Sequence, residues 1–177
     1  MVNKKKSCDN VDGFVRLKKV DSGVFIIKTN KVLKYKNISG VWAMFGKFNS
    51  CEEYICLEVG QSNNIYEELQ YDIDCLLQDY SNIDLRKRYT ARRLFKEFNT
   101  SFDVCVCDKN RTNAKYRVIA TTFVDIKIFL IAHDNDKINR EKIELEFAVD
   151  NKAMFWNAWG KQRRMAKEYY KSTHTFG

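Results

Sequence analysis

A strand–strand–helix pattern constrains the fold of this chain more than any other feature. Residues 41–48 and 53–59 are extended apolar segments, and only the short stretch 49–52 connects them. This spacing predicts an antiparallel hairpin. Beyond it, Asn63 or Asn64 is available as a helix N-cap, and apolar residues then recur at helical spacing. These apolar residues are Ile65, Leu69, Ile73, Leu76 and Leu77. The sequence therefore predicts two paired strands that lead directly into an amphipathic helix.

The remaining segments predict an α/β protein of the α+β type, with a small, mainly antiparallel central sheet flanked by helices. Residues 13–28 predict an N-terminal hairpin with its turn at 21–23. The nearly continuous apolar run 124–132 predicts a central buried strand. Further helices are predicted over 85–98, over 136–149 and from 152 into the tail, and further strands over 102–107 and 116–122. Without an internal repeat or a linker, the 177 residues favour a single domain, 1–177.

Composition excludes several classes of protein. Apolar residues make up 45% of the chain and aromatic residues 14%, which is typical of a globular protein. No segment approaches the roughly 18 uncharged apolar residues of a membrane-spanning helix. The basic start is not followed by the apolar run of a secretory signal. We therefore expect a cytoplasmic protein without a membrane partner. The absence of proline, with frequent Asn, Lys and Ile, indicates an AT-rich coding sequence of the kind found in low-GC bacteria and their phages.

The six cysteines are predicted to be structural thiols. Cysteine is commonly buried as a small apolar side chain, and a chain of this size without a secretory signal has little need of disulfides. Cys105 and Cys107 point to one face of a predicted strand, but no CxxC pair or neighbouring His completes a zinc site. We expect neither zinc nor an organic cofactor.

The net charge of +8 is unevenly distributed along the chain. Residues 1–36 carry a net charge of +7, 81–117 carry +6 and 160–177 carry +4, whereas 51–80 contain eight acidic residues and no Lys or Arg. Basic segments that meet in the fold would attract a polyanion such as DNA, although solvated basic helix faces give the same pattern. The acidic segment would repel DNA, hold a metal ion or face a basic protein. The candidate nucleic-acid-binding residues are Arg86, Arg88, Arg92, Arg93, Lys161, Arg163 and Arg164.

Two short motifs give the strand–strand–helix pattern a family resemblance. Gly40-Val41-Trp42 and Glu58-Val59-Gly60 resemble the two signatures of the GIY-YIG nuclease family, with Trp and Glu where the family has tyrosines. The polar turn that follows, 61–65, is similar to the turn that opens the family's first helix. The family carries an arginine about two turns into that helix, where this chain has Glu68. The resemblance covers 39–157 and includes an insertion at about 80–122.

The resemblance implies a metal-dependent DNA endonuclease, or a diverged relative that binds DNA. The family places a metal-binding Glu on a helix after the third strand, and an Asn about a dozen residues later. Glu144 and Asn157 match these positions, and Glu146 is the alternative carboxylate if the alignment shifts by two residues. An active enzyme would therefore use Mg²⁺ or Mn²⁺, bound by Glu144.

Phosphodiester hydrolysis needs an activated water, a cation beside the phosphate and a metal ion that stabilises the leaving oxygen. Glu58 can accept a proton in place of a tyrosine oxygen, but Glu68 has the wrong charge to replace an arginine. The missing cation would have to come from the insertion, with Arg86, Arg88, Arg92 and Arg93 as candidates. The candidate catalytic residues are Trp42, Glu58, Glu144 and Asn157.

Alternatives remain on the sequence alone. Glu144 has an ordinary interpretation as a solvated helix residue, Asn157 as a helix cap, and the three tryptophans as core side chains. The altered tyrosine and arginine positions also fit a non-enzymatic interaction factor, such as a phage or mobile-element inhibitor. In that case, the acidic segment 51–80 would engage a basic protein partner.

Overall fold

Strands and helices occupy most of the chain that the computed structural model describes, which is residues 13–21, 23–49, 52–78, 88–89, 104–105, 111–156 and 160–174. The strands are β1 (Val15–Lys19), β2 (Phe25–Asn30), β3 (Gly40–Lys47), β4 (Tyr54–Ser62), β5 (Arg88–Tyr89), β6 (Val104–Cys105) and β7 (Asp125–His133). The α-helices are α1 (Ile65–Leu76), α2 (Arg111–Thr122), α3 (Lys137–Asp150) and α4 (Gly160–His174). A 3₁₀ turn at Val32–Tyr35 follows β2.

The main sheet has five antiparallel strands in the order β2-β1-β7-β3-β4. β3 and β4 form the predicted hairpin, in which Trp42 lies opposite Gly60. β1 and β2 form the predicted N-terminal hairpin, and β1 joins it to β7. β7 is the middle strand, as predicted for 124–132. The structure confirms the α+β class with a mainly antiparallel sheet and flanking helices.

Strand β3 is buried on both faces because helices cover both sides of the sheet. Trp42 and Met44 pack in a core with side chains of α1 and α2. Val41, Ala43 and Phe45 pack in a second core with side chains of α3 and α4. Since side chains alternate between the two faces of a strand, a strand between two helical layers requires an unbroken apolar run.

Residues 116–122 belong to helix α2, so the strand predicted there is wrong. Val118 and Ile119 are β-branched and favour a strand locally. The buried side chains at this end of α2 are Tyr116, Ile119, Ala120 and Phe123. Their spacing is that of one helical face, so packing against the core outweighs the local preference.

The segment 85–107 and the last helix also differ from the prediction. Arg88 and Tyr89 form strand β5 within the predicted helix 85–98, the rest of which lies outside the described residues. β6 falls within the predicted strand 102–107 and pairs with β5. Helix α4 begins at Gly160 and not near 152. The reason is that backbone N–H groups at 154 and 155 donate hydrogen bonds to the sheet and cannot take part in a helix.

The turn before α4 covers part of the edge of β4. Met154 N donates a hydrogen bond to Cys56 O at 3.1 Å, and Phe155 N donates one to Leu57 O at 2.7 Å. An uncovered sheet edge would leave such carbonyl groups unpaired. These bonds end at Leu57, and the next residues of β4 line a cavity.

Two other expectations can be compared with the described residues. Cys56 and Cys75 are buried, as predicted for structural cysteines. None of the helices in the described ranges combines the length and apolar character needed to cross a bilayer.

Candidate functional site

A cavity of about 440 Å³ lies beside residues 58–61 of strand β4. Its size is within the range of small-ligand and substrate sites. Its walls come from β3, β4, α1, α2, α3 and the turn before α4. The lining residues are Trp42, Glu58, Val59, Gly60, Gln61, Glu68, Tyr71, Asp72, Lys115, Tyr116, Glu144 and Trp156. The tertiary structure thus gathers side chains from across the chain into one site.

Three of the four candidate catalytic residues line this cavity. Trp42 comes from β3, Glu58 from β4 and Glu144 from α3. Asn157 lies outside the described residues. Glu146, the alternative to Glu144, does not line the cavity, and its Oε1 lies 3.9 Å from Lys142 Nζ on the surface of α3.

The candidate nucleic-acid-binding residues fall into two groups. Lys161 and Arg164 are exposed on α4. The other five have no described side chain, so their role stays a prediction. Arg86, Arg92 and Arg93 lie wholly outside the described residues, and only the backbone of Arg88 and of Arg163 is described. The described basic surface near the site is therefore that of α4.

The pairing of Trp42 with Gly60 explains the glycine of the second motif. A Cβ atom at position 60 would lie 2.6 Å from Cζ2 of Trp42 and 2.9 Å from its Nε1. Trp42 is 2% exposed, and its Nε1 has no hydrogen-bond partner in the described part of the chain. The indole therefore lies against the backbone of β4, in space that only a glycine leaves free. The burial of Trp42 and Trp156 confirms the core interpretation of these two tryptophans.

Gly60→Ala is expected to lower the free energy of unfolding by about 1–3 kcal/mol, because the added methyl group must displace a buried ring. Urea denaturation of both proteins measures the difference. Trp42→Leu provides the control background, since a smaller side chain leaves room for the methyl group. An equal effect of Gly60→Ala with Trp and with Leu at position 42 would contradict this explanation.

Four acidic side chains line the cavity, and burial is the main influence on each. Burial raises the pKa of Glu58 to about 7, against the lowering effect of Lys115. Burial raises the pKa of Glu68 to about 7 and that of Asp72 to about 6. It also raises the pKa of Glu144, which hydrogen bonds from Trp156 and Gln162 partly offset. These carboxyl groups therefore ionise less readily than they would in water.

Lys115 of α2 is the one Lys or Arg among the described residues that line the cavity. Its Nζ lies 2.8 Å from Glu58 Oε2. This short contact between opposite charges in a buried site favours the ionised form of Glu58 and lowers its pKa against the effect of burial. Sequence reasoning missed Lys115 because the adjacent segment was predicted to be a strand. The helical spacing of Tyr116, Ile119 and Phe123 is the signal that places it beside the core.

Glu144 is held in the cavity wall by hydrogen bonds from the turn before α4 and from the first turn of α4. Trp156 Nε1 donates a hydrogen bond to Glu144 Oε1 at 2.8 Å. Gln162, in the first turn of α4, donates a second. Because the turn at 154–155 is bonded to β4, these contacts fix the carboxylate relative to the sheet.

Arg140 contacts Gln61 of the cavity wall and was not identified from the sequence. It is 5% exposed, and its Nε donates a hydrogen bond to Gln61 Oε1 at 3.0 Å. Its Nη1 donates to the carbonyl oxygens of Asp134 at 3.1 Å and Asn135 at 3.0 Å. Arg140 therefore ties the loop before α3 to β4, which is a positioning role.

The carboxyl groups of the cavity suit a divalent cation that takes few ligands from the protein. Among the described residues, no three His, Cys, Asp or Glu side chains lie close enough to hold a metal ion by themselves. Mg²⁺ does not need such a cage, because it usually keeps several waters and takes one or two carboxylates together with substrate phosphates. Glu144 supplies a fixed carboxylate, and the four acids carry more potential negative charge than Lys115 alone offsets.

No protein-family model, no curated protein and no solved structure matches the chain. The family resemblance therefore rests on the motifs in the sequence. What the site can do has to be argued from its own geometry.

Proposed function

We propose that the protein is a metal-dependent phosphodiesterase that cuts DNA, with a GIY-YIG-like active site in which carboxylates replace some of the family's residues. The observation that carries the proposal is that Trp42, Glu58 and Glu144, selected from motif spacing, line one cavity. The order of the elements supports it as well. Two antiparallel strands are followed by a helix, a third strand of the same sheet and further helices.

Glu58 is the proposed general base. Its pKa of about 7 allows it to take up and release a proton near neutral pH. The oxygen of a water molecule forms a bond to phosphorus while one phosphorus–oxygen ester bond breaks. The water gives a proton to Glu58, and the departing oxygen takes a proton from solvent. The products are one end with a phosphate monoester and one end with a hydroxyl group.

Glu144 is the proposed ligand of Mg²⁺ or Mn²⁺. When bound, the ion would offset the negative charge of the phosphate and of the leaving oxygen. Trp156 and Gln162 hold the carboxylate in place before substrate arrives. A ligand that is already oriented does not have to be ordered during the reaction.

Helix α4 provides a basic flank beside the cavity. Gln162, which hydrogen-bonds Glu144, lies in its first turn together with exposed Lys161, and exposed Arg164 begins the second turn. The first turn has no acidic residue. A cation in the first turn interacts unfavourably with the helix dipole, at a cost of roughly 0.3–1 kcal/mol. This arrangement does not favour the isolated helix, but it suits a bound phosphate backbone.

The interaction-factor alternative receives less support from the same residues. Glu58, Glu68 and Asp72, three of the eight acids in 51–80, line the cavity. These three are therefore withdrawn into the cavity, which leaves Glu52, Glu53, Glu67 and Asp74 as the exposed acids, among the described residues of that segment, that a basic protein could contact.

Plasmid nicking tests the proposed function. Purified protein is incubated with supercoiled DNA in Mg²⁺ or Mn²⁺, with EDTA as the control. We expect nicked circles that form only with the metal ion. The enzymatic proposal fails if DNA stays intact with both metals. A protein that also shows no binding to DNA at low salt would favour the interaction factor.

Lys161→Ala combined with Arg164→Ala is expected to weaken DNA binding and to reduce the slope of log K against log salt by about 2, one for each lost phosphate contact. Fluorescence anisotropy of a labelled duplex over a salt series measures both effects. The matched control is Lys137→Ala with Lys142→Ala on α3, which removes the same charge from side chains that lie beside Glu141 and Glu146. Equal losses in the two double variants would mean that only net charge matters.

A further inference from the structure

A phosphate group in a cavity lined by four carboxyl groups would be stabilised by a cationic side chain in addition to the proposed metal ion. The position where the resemblance implies an arginine holds Glu68, which itself lines the cavity. The described residues offer one cationic side chain in the wall, which is Lys115. We propose that Lys115 is the residue that binds the scissile phosphate, supplied by the inserted helix α2. This inference rests on the proposed function.

The fold holds Lys115 firmly at the cavity. Its neighbour Tyr116 is 1% exposed and hydrogen-bonds Asp72, which ties α2 to α1. Ile119, one turn further on, is fully buried in the core. The Lys115 ammonium also lies 4.8 Å from the centre of the Tyr116 ring, within the range of a cation–π contact. The backbone of Lys115 is thus fixed by its buried neighbours, and its ammonium group is held beside the site by Tyr116 and Glu58.

The ion pair with Glu58 is compatible with phosphate binding. Lys115 Nζ lies 2.8 Å from Glu58 Oε2, and the lysine side chain keeps 20% of its surface exposed. An ammonium group has three donors, so it can stay beside the carboxylate and still donate to a phosphate oxygen. Lys115 would therefore place the phosphate next to the proposed general base. A surface lysine paired with a carboxylate on its own helix could not do this.

Substitution of Lys115 tests the inference by activity. We expect Lys115→Ala to reduce kcat for nicking on the order of 100-fold, because a positioned charge on the phosphate is lost. Lys115→Arg should recover most of the activity. The matched control is Lys142→Ala, which removes an exposed lysine of α3 and should leave kcat within about twofold. If the wild type nicks DNA and Lys115→Ala nicks it at the same rate, the role of Lys115 is overturned and the proposed function still stands.

Phosphate binding gives a second readout that does not depend on catalysis. Trp42 and Trp156 line the cavity, so inorganic phosphate is titrated against tryptophan fluorescence. We expect a saturable change in the wild type and an affinity on the order of tenfold weaker without the lysine. Since Lys115→Ala leaves Glu58 unpaired and can impair folding, the comparison is repeated between Glu58→Gln and Glu58→Gln with Lys115→Ala. Equal phosphate affinity in these two variants overturns the inference, whether or not the wild type nicks DNA. The inference is also overturned if the wild type shows no phosphate binding.

Discussion

Glu144→Gln is expected to reduce metal-dependent nicking on the order of 1000-fold, since the cation would lose its fixed carboxylate. Glutamine has nearly the same shape and keeps a side-chain oxygen that can accept the hydrogen bond from Trp156 Nε1. The variant should therefore fold like the wild type. The rate of nicking is measured over a range of Mn²⁺ concentrations, because a weakened metal site shifts the half-saturating concentration upward.

The control for this variant is two residues away on the same helix. Glu146→Gln removes the same charge from α3, but Glu146 lies beside Lys142 and outside the cavity. We expect its nicking rate to stay within about twofold of the wild type. Thermal melts of both variants separate activity from folding. Nicking by Glu144→Gln at the wild-type rate would remove the proposed metal ligand.

The free energy of unfolding is expected to fall as the pH rises from about 5 to about 8. The pKa of Glu58 and that of Glu68 are raised from 4.5 to about 7, and that of Asp72 from 3.8 to about 6. Between these limits the unfolded chain has released protons that the folded chain still binds. Stability is therefore highest below the unfolded pKa values and is lost as the pH passes through the folded ones. A change of this size for one buried carboxyl group corresponds to about 3 kcal/mol. Urea denaturation at a series of pH values measures the trend.

Glu68→Gln isolates one part of this effect. The neutral amide has no proton to lose, so we expect it to raise the free energy of unfolding at pH 8 by about 1–3 kcal/mol and to change it little at pH 5. Glu67→Gln is the matched control, because Glu67 is the adjacent residue of α1 and is exposed. If the two variants show the same pH dependence as the wild type, the acidic cavity does not set the pH response.

Local sequence patterns predicted those elements in which the apolar residues that show the strand or helix period are also the residues that face the core. The hairpin β3–β4, helix α1, the central strand β7 and helix α3 are of this kind. Helix α2 was missed because Val118 and Ile119 favour a strand in isolation, and only the core contacts of Tyr116 and Phe123 show a helical face. The start of α4 was misplaced because Met154 and Phe155 donate their backbone hydrogen bonds to β4, which no local pattern records.

The sequence by itself determined the two hairpins, β1–β2 and β3–β4, and the motif spacing selected Trp42, Glu58 and Glu144. Only the tertiary structure decided that these side chains line the same cavity and that Lys115 lies 2.8 Å from Glu58 Oε2. The physical reason is that periodicity reports which face of an element is buried, whereas a contact between two charged side chains depends on how separate elements pack. A lysine in a helix carries no local sign of the carboxylate that it will meet.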